Sequence, residues 1–249
     1  MTKKPQTQKH RKLIGRSLVV MVGIAVTALA MVSVTRLMAP PVVVRPAHPS
    51  IRAIDSANTI TDPSWFHRVY DAGFRLYIMH ATAWGTCNPW EHTVPQLKMA
   101  LDAGLKIAIY TRDPRCWQGG IEAVGAYRDQ LQFFALDIEK DPGISVTRSM
   151  VDGVKTMGVR PIIYTRQGVW SDLQNGTDND FKDVPLWDAD TTKFAYSDWK
   201  ANYVSPQPVA YGGWNTQDNM RIGVQQQFEY NLFGVYVDLN SFDAKFLQN

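Results

Sequence analysis

The chain of 249 residues has only two cysteines, which excludes a scaffold built on disulfides, and its 45% hydrophobic and 20% charged content excludes a disordered chain. No acidic residue precedes Asp55. The formal charge of +3 is therefore an average over two unlike parts: Lys3, Lys4, Lys9, Arg11, Lys12 and Arg16 crowd the start, whereas residues 51–249 carry 18 Lys and Arg against 23 Asp and Glu, a net charge of −5. A net-acidic body without a basic run argues against nucleic acid as a partner, because phosphate binding needs clustered cations. No Gly-x-Gly-x-x-Gly or Walker loop occurs, which argues against a nucleotide-binding doubly wound sheet. Of the five histidines (His10, His48, His67, His80 and His92) none forms a His-x-x-x-His pair, so no metal site and no cofactor are expected.

What the chain does have, first, is an uncharged run of nineteen residues from Ser17 to Thr35. As a helix it reaches about 28 Å, close to the roughly 30 Å of a bilayer core. Cations on its N-terminal side predict a cytoplasmic basic segment at 1–16, a transmembrane signal anchor at 17–36 and export of everything beyond. Ala28-Leu29-Ala30 also fits a signal-peptide cleavage site. The anchor is preferred because the apolar run continues past it. Residues 37–50, with four of the fourteen prolines, read as an extended spacer, and residues 51–249 as one domain.

In that domain short apolar runs alternate with helical patterns. Strands are expected at Ile51–Ile54, Phe74–Met79, Lys106–Tyr110, Phe133–Asp137 and Arg160–Tyr164. Helices are expected at Pro63–Ala72, Val94–Ala103, Gly120–Leu131 and Thr147–Met157, with Gly73, Gly104 and Gly158 as stop signals. After Val184 the pattern turns to strands, at Val184–Trp187, Val224–Phe228 and Val235–Leu239. The expected fold class is α/β, a (β/α) barrel of TIM-like type with a helix-poor final third.

Chemistry in such barrels sits at the C-terminal ends of the strands, where Asp55, Asp137, Glu139 and Asp238 fall. Residues i and i+2 of a strand share a face, so Asp137 and Glu139 point the same way, about 6.6 Å apart along the chain. Like charges that close push one pKa up and leave a protonated general acid beside an ionised partner. All eight tryptophans lie beyond residue 64, and Trp84, Trp90 and Trp117, set among Gly, Pro and polar residues, are candidates for stacking on sugar rings. Tyr110, Tyr164, Trp187 and Gln227 complete the candidate substrate-binding set. Cys87 and Cys116 fall in loops after neighbouring strands of the expected barrel, and export predicts a disulfide between them.

Five segments in order resemble glycoside hydrolase family 25, the lysozymes that cut peptidoglycan. Ala53-Ile54-Asp55-Ser56 resembles the opening Gly-Ile-Asp-Val-Ser of the family, Leu136-Asp137-Ile138-Glu139 its central Leu-Asp-x-Glu, and Pro161-Ile162-Ile163-Tyr164-Thr165 its fifth strand. Leu186-Trp187-Asp188-Ala189 is similar to its Leu-Trp-x-Ala, and Val237-Asp238-Leu239-Asn240-Ser241-Phe242 to its closing Val-Asp-x-Asn-x-Phe. The resemblance implies Glu139 as proton donor, Asp137 as its partner, and Asp55 and Asp238 as supporting carboxylates. It implies peptidoglycan glycan strands as substrate, cut at the β-1,4 bond between N-acetylmuramic acid and N-acetylglucosamine, by a monomer outside the cytoplasmic membrane. Two segments depart from the pattern. Ala81-Thr82-Ala83-Trp84-Gly85 replaces the usual Ala-Thr-Glu-Gly, and Gln226-Gln227-Phe228 stands where Trp-Gln-Tyr is usual. Hydrolysis of another acetamido glycan such as chitin, and wall binding without catalysis, are the alternatives. Retention, inversion and use of the substrate's own acetamido group as nucleophile all stay open at this level.

Overall fold

The computed structural model describes residues 50–174, 181–190, 209, 211–214 and 220–247. The expected basic segment and membrane helix, nearly all of the spacer, and Trp199 lie outside the described residues. Among the described residues no helix is long and apolar enough to cross a membrane.

Eight strands close a barrel in sequence order: β1 (Ser50–Ser56), β2 (Phe74–His80), β3 (Lys106–Thr111), β4 (Leu131–Asp137), β5 (Pro161–Thr165), β6 (Leu186–Ala189), β7 (Arg221–Leu232) and β8 (Val235–Asp243). From β1 to β7 every neighbouring pair is parallel, whereas β8 runs antiparallel to both β7 and β1. The reversal follows from the connection. Only Phe233 and Gly234 separate β7 from β8, both with positive φ (54° and 89°), and a two-residue turn can join only antiparallel strands.

Among the described residues five helices cover the outside: α1 (Pro63–Asp71), α2 (Thr93–Asp102), α3 (Trp117–Ala123), α4 (Arg148–Thr156) and α5 (Gln167–Leu173). The first shows how local sequence sets a boundary. Asp62 caps α1 by accepting from the Ser64 amide at 2.9 Å, and Pro63 fills the position whose amide needs no partner. The expected helix at Gly120–Leu131 is corrected by the structure: α3 ends at Ala123, Gly125 takes a left-handed φ of 55°, and a 3₁₀ stretch over Gly125–Gln130 leads into β4. A side chain at Gly125 would be strained in that conformation, and the glycine turns the chain there. Helix α5 and the full length of β7 were not anticipated.

Strand residues alternate between two apolar layers. Ala53, Leu76, Ile78, Ala108, Phe133 and Ala135 fill the barrel interior. Ile54, Tyr77, Ile107, Ile109, Phe134 and Leu136, the intervening residues, pack outward in the layer shared with the helices. Both faces of β4 are covered, so all seven of its residues are buried. Its large apolar side chains, Leu131, Phe133, Phe134 and Leu136, each contribute roughly 1.5–3 kcal/mol by leaving water. Phe242 closes the interior by stacking on Phe133 at 5.3 Å and leaning on Trp187 at 5.4 Å. It has room only because residue 223 is glycine, where a Cβ would lie 2.5 Å from the Phe242 ring.

Candidate active site

The inward alternation that fills the barrel places its next layer at the C-terminal ends of the parallel strands. Asp55 on β1, Tyr110 on β3, Asp137 and Glu139 at the end of β4, Tyr164 on β5 and Trp187 on β6 line a cavity of about 470 Å³. Asp238 joins them because β8 is reversed: its N-terminal half lies at the end where the other strands finish. All four carboxylates picked out in the sequence thus surround one cavity, together with Trp84.

Hydrogen bonds fix half of this layer. The Tyr164 hydroxyl donates to Gln225 Oε1 at 2.5 Å, which sets the carboxamide so that its Nε2 donates to Asp55 Oδ1 at 3.0 Å and Asp238 Oδ2 at 3.1 Å. Trp187 Nε1 donates to Asn240 Oδ1 at 2.9 Å, and Asn240 Nδ2 donates to Asp55 Oδ1 at 2.7 Å. Asp238 Oδ1 accepts from the Glu229 amide at 2.7 Å. The Trp187 N–H can only donate, which sets the Asn240 amide, and the two carboxylates that accept from its nitrogen set the Gln225 amide.

The other half is less constrained. Asp137 is 4% exposed, and its Oδ1 is buried without a hydrogen-bond partner among the described residues. Burial pushes its carboxyl well above the usual range, the charge of Glu139 adds to that, and Arg112 opposes it. Glu139, half-buried, is raised by burial against the pull of Arg112 and Arg166. Burial also raises Asp55 well above the usual range, reinforced by Asp238, and lifts Asp238 to about 6. Desolvation is the leading cause in all four, so the cavity holds carboxyl groups that keep protons at pH values where exposed ones are ionised. Tyr110 and Tyr164 are driven upward by burial and stay neutral donors.

Three expected binding residues lie elsewhere. Trp90 and Trp117 are half-buried against the layer between barrel and helices, Trp117 over Gly153, where a Cβ would come within 2.5 Å of its ring. Gln227 does not line the cavity; Gln225 does. A register shift lies between them: Gln225 pairs with Asn240, but Gln227 pairs with Leu239, a residue of the outer layer. Alternation from Gln225 therefore fails at Gln227. Arg112 was also missed. It lies just beyond β3, lines the cavity, holds Asp141 through its side chain and carbonyl at 3.1 and 3.0 Å, and has its guanidinium 5.0 Å from the Trp84 ring. No cluster of three His, Cys, Asp or Glu suited to a metal ion occurs among the described residues.

A closed barrel with acidic side chains gathered at the C-terminal ends of its parallel strands carries them where barrels of this kind place their chemistry. No protein-family model and no curated protein matches the chain. Solved structures do. The muramidase from Trichobolus zukalii matches with a TM-score of 0.54 at 18% identity, over 78% of this chain and 94% of that one. The family GH25 lysozyme from Aspergillus fumigatus matches with a TM-score of 0.56 at 19% identity, over 81% and 100%. The bacterial lysozyme from Streptomyces coelicolor gives 0.51 at 15% identity, over 78% and 92%. The barrel fold of this chain is the one those lysozymes share.

Proposed function

We propose that the chain is a glycoside hydrolase of family 25, a lysozyme that cuts the β-1,4 bond between N-acetylmuramic acid and N-acetylglucosamine in peptidoglycan. The observation that carries this reading is the convergence of Asp55, Asp137, Glu139 and Asp238 on one cavity of the lysozyme barrel. Glu139 is the proton donor. It is the most accessible of the two carboxyls at the end of β4, and burial keeps its proton available for the departing glycosidic oxygen. Asp137, deeper and beside it, is raised further by burial; Arg112 and the positive charge that develops on the sugar ring favour its ionised form, in which it stabilises that charge. Asp55 and Asp238 shape the field from the opposite wall, held by Gln225. General acid catalysis of this kind contributes roughly 10²–10⁴-fold in rate. Release of reducing ends from purified peptidoglycan, set beside chitin as a second substrate, tests the reading; hydrolysis of chitin alone, or wall binding without release, would overturn it.

The enzyme acts as a monomer outside the cytoplasmic membrane, tethered by residues 17–36. With the tether intact, the spacer confines it to wall within roughly 40 Å of the lipid surface, at about 3.1 Å per extended residue. N-terminal sequencing of the exported protein distinguishes this from cleavage: an intact start supports the anchor, and a start at Met31 contradicts it.

A further inference from the structure

Across Trp84 from the catalytic cavity lies a second cavity, of about 480 Å³. Trp84 and Arg112 line both, so the two are compartments of one groove. The second is walled by the loop after β2, where the sequence departs from the lysozyme pattern.

That loop is held firmly. Thr82 and Pro89 form an antiparallel bridge, the Ala83 amide donates to the Asn88 carbonyl at 2.9 Å, and the Thr86 amide donates back to Ala83 at 3.0 Å. A disulfide joins Cys87 to Cys116 in the turn after β3. Close by, α3 presses on the same loop at a glycine: a Cβ on Gly119 would lie 2.1 Å from the Cys87 carbonyl oxygen. At the tip of this braced loop Trp84 is 64% exposed, with its ring 5.5 Å from that of His80 and 5.0 Å from the Arg112 guanidinium. A large indole fixed in water offers a flat apolar face at little ordering cost.

The polar lining decides what would cover that face. Arg115 is bound by Asp113 through two nitrogens at 2.9 and 2.6 Å, and Arg112 by Asp141 at 3.1 Å. His80, pushed down to about 4 chiefly by burial, is uncharged at neutral pH. Two cations are thus matched by two carboxylates, and the cleft is rich in donors and acceptors without net charge. Such a surface suits an uncharged ring bearing hydroxyl and acetamido groups. An acidic peptide would need cations free of their own partners.

Resting on the glycan-hydrolase reading above, we infer that this disulfide-braced cleft is a distal subsite that takes an uncharged N-acetylhexosamine ring, stacked on Trp84 and hydrogen-bonded by the Asp113–Arg115 pair. The groove then engages more rings than the two that flank the cleaved bond. Longer strands bind better, and the disulfide shapes the part of the site that senses length.

The test is calorimetric binding of chitobiose and chitotetraose to the full chain carrying Glu139→Gln, with Arg115→Ala and, separately, Cys87→Ser/Cys116→Ser added. Chitotetraose should bind at least tenfold more tightly than chitobiose, and each added change should remove about tenfold of that advantage. Arg115 is exposed, so its variant reads the subsite even if the cysteine variant fails to fold. Equal binding of the two sugars, no binding of chitotetraose, an advantage untouched by Arg115→Ala, or displacement of chitotetraose by a sugar-free acidic stem peptide would each overturn the inference. Wall hydrolysis by the unmodified chain together with any of those results refutes the subsite alone. Length-dependent binding in a chain that never cuts glycans refutes the enzyme reading and leaves the subsite standing.

Discussion

Asp55 and Asp238 stand directly opposite each other across the antiparallel β1–β8 pair, and one Gln225 nitrogen donates to both, at 3.0 and 3.1 Å. Like charges facing across a ladder repel, and the shared donor together with proton retention makes the pairing tolerable. Gln225→Leu should therefore destabilise the fold by about 1–3 kcal/mol, since it takes one donor from each of two carboxylates and strands the Tyr164 hydroxyl. Chemical denaturation of the variant beside the parent measures this; an unchanged midpoint and slope would show that the network has no structural weight.

The same pair gives stability a pH dependence of definite sign. The Asp238 carboxyl is raised from 3.8 to about 6 in the folded chain, so the folded state holds a proton that the unfolded state releases. Its contribution is full below about pH 4 and is lost as pH rises through about 6. The melting temperature of the parent should fall across that window more steeply than that of Asp238→Asn. Parallel curves would mean that Asp238 titrates as an exposed carboxylate.

Much of this layer is legible in the sequence. The apolar run of β4 ending in Asp-x-Glu marks a strand buried on both faces whose last inward positions are acidic, and the alternation alone brings Asp137 and Glu139 to one cavity. Gly73, Gly104 and Gly158 each follow a helix as read. What was hidden depends on irregularity or on partners distant in sequence. The register shift between Gln225 and Gln227 inverts a strand face without leaving a compositional mark, so alternation points to Gln227 where Gln225 lines the cavity. Trp117 looked loop-bound because of its polar neighbours, but the bare backbone of Gly153, which receives its ring, lies on another helix. The reversal of β8 follows from the short Phe233-Gly234 connection, which apolar periodicity alone does not mark as a turn.

The disulfide closes a loop with a sequence separation of 29, which in the chain-entropy picture stabilises the fold by about 3.5 kcal/mol. Reduction should lower the denaturation midpoint accordingly while catalysis at Glu139 persists. Denaturant titration with and without reductant checks it, and equal midpoints would contradict the expectation.

Inside the barrel, Gly223→Val should cost about 1–3 kcal/mol or more, because even the first carbon of the new side chain would meet the Phe242 ring at 2.5 Å. Pairing it with Phe242→Leu should restore part of the loss. A double variant no more stable than Gly223→Val alone would place the strain elsewhere.

The central claim is that Glu139 gives up the proton that lets a glycan bond break. Glu139→Gln removes that proton with almost no change in volume, and reducing ends released from purified peptidoglycan are the direct readout. The account predicts a fall of about 10²–10⁴-fold with an unaltered melting temperature and retained wall binding; release at the parent's rate from a folded Glu139→Gln chain would contradict it.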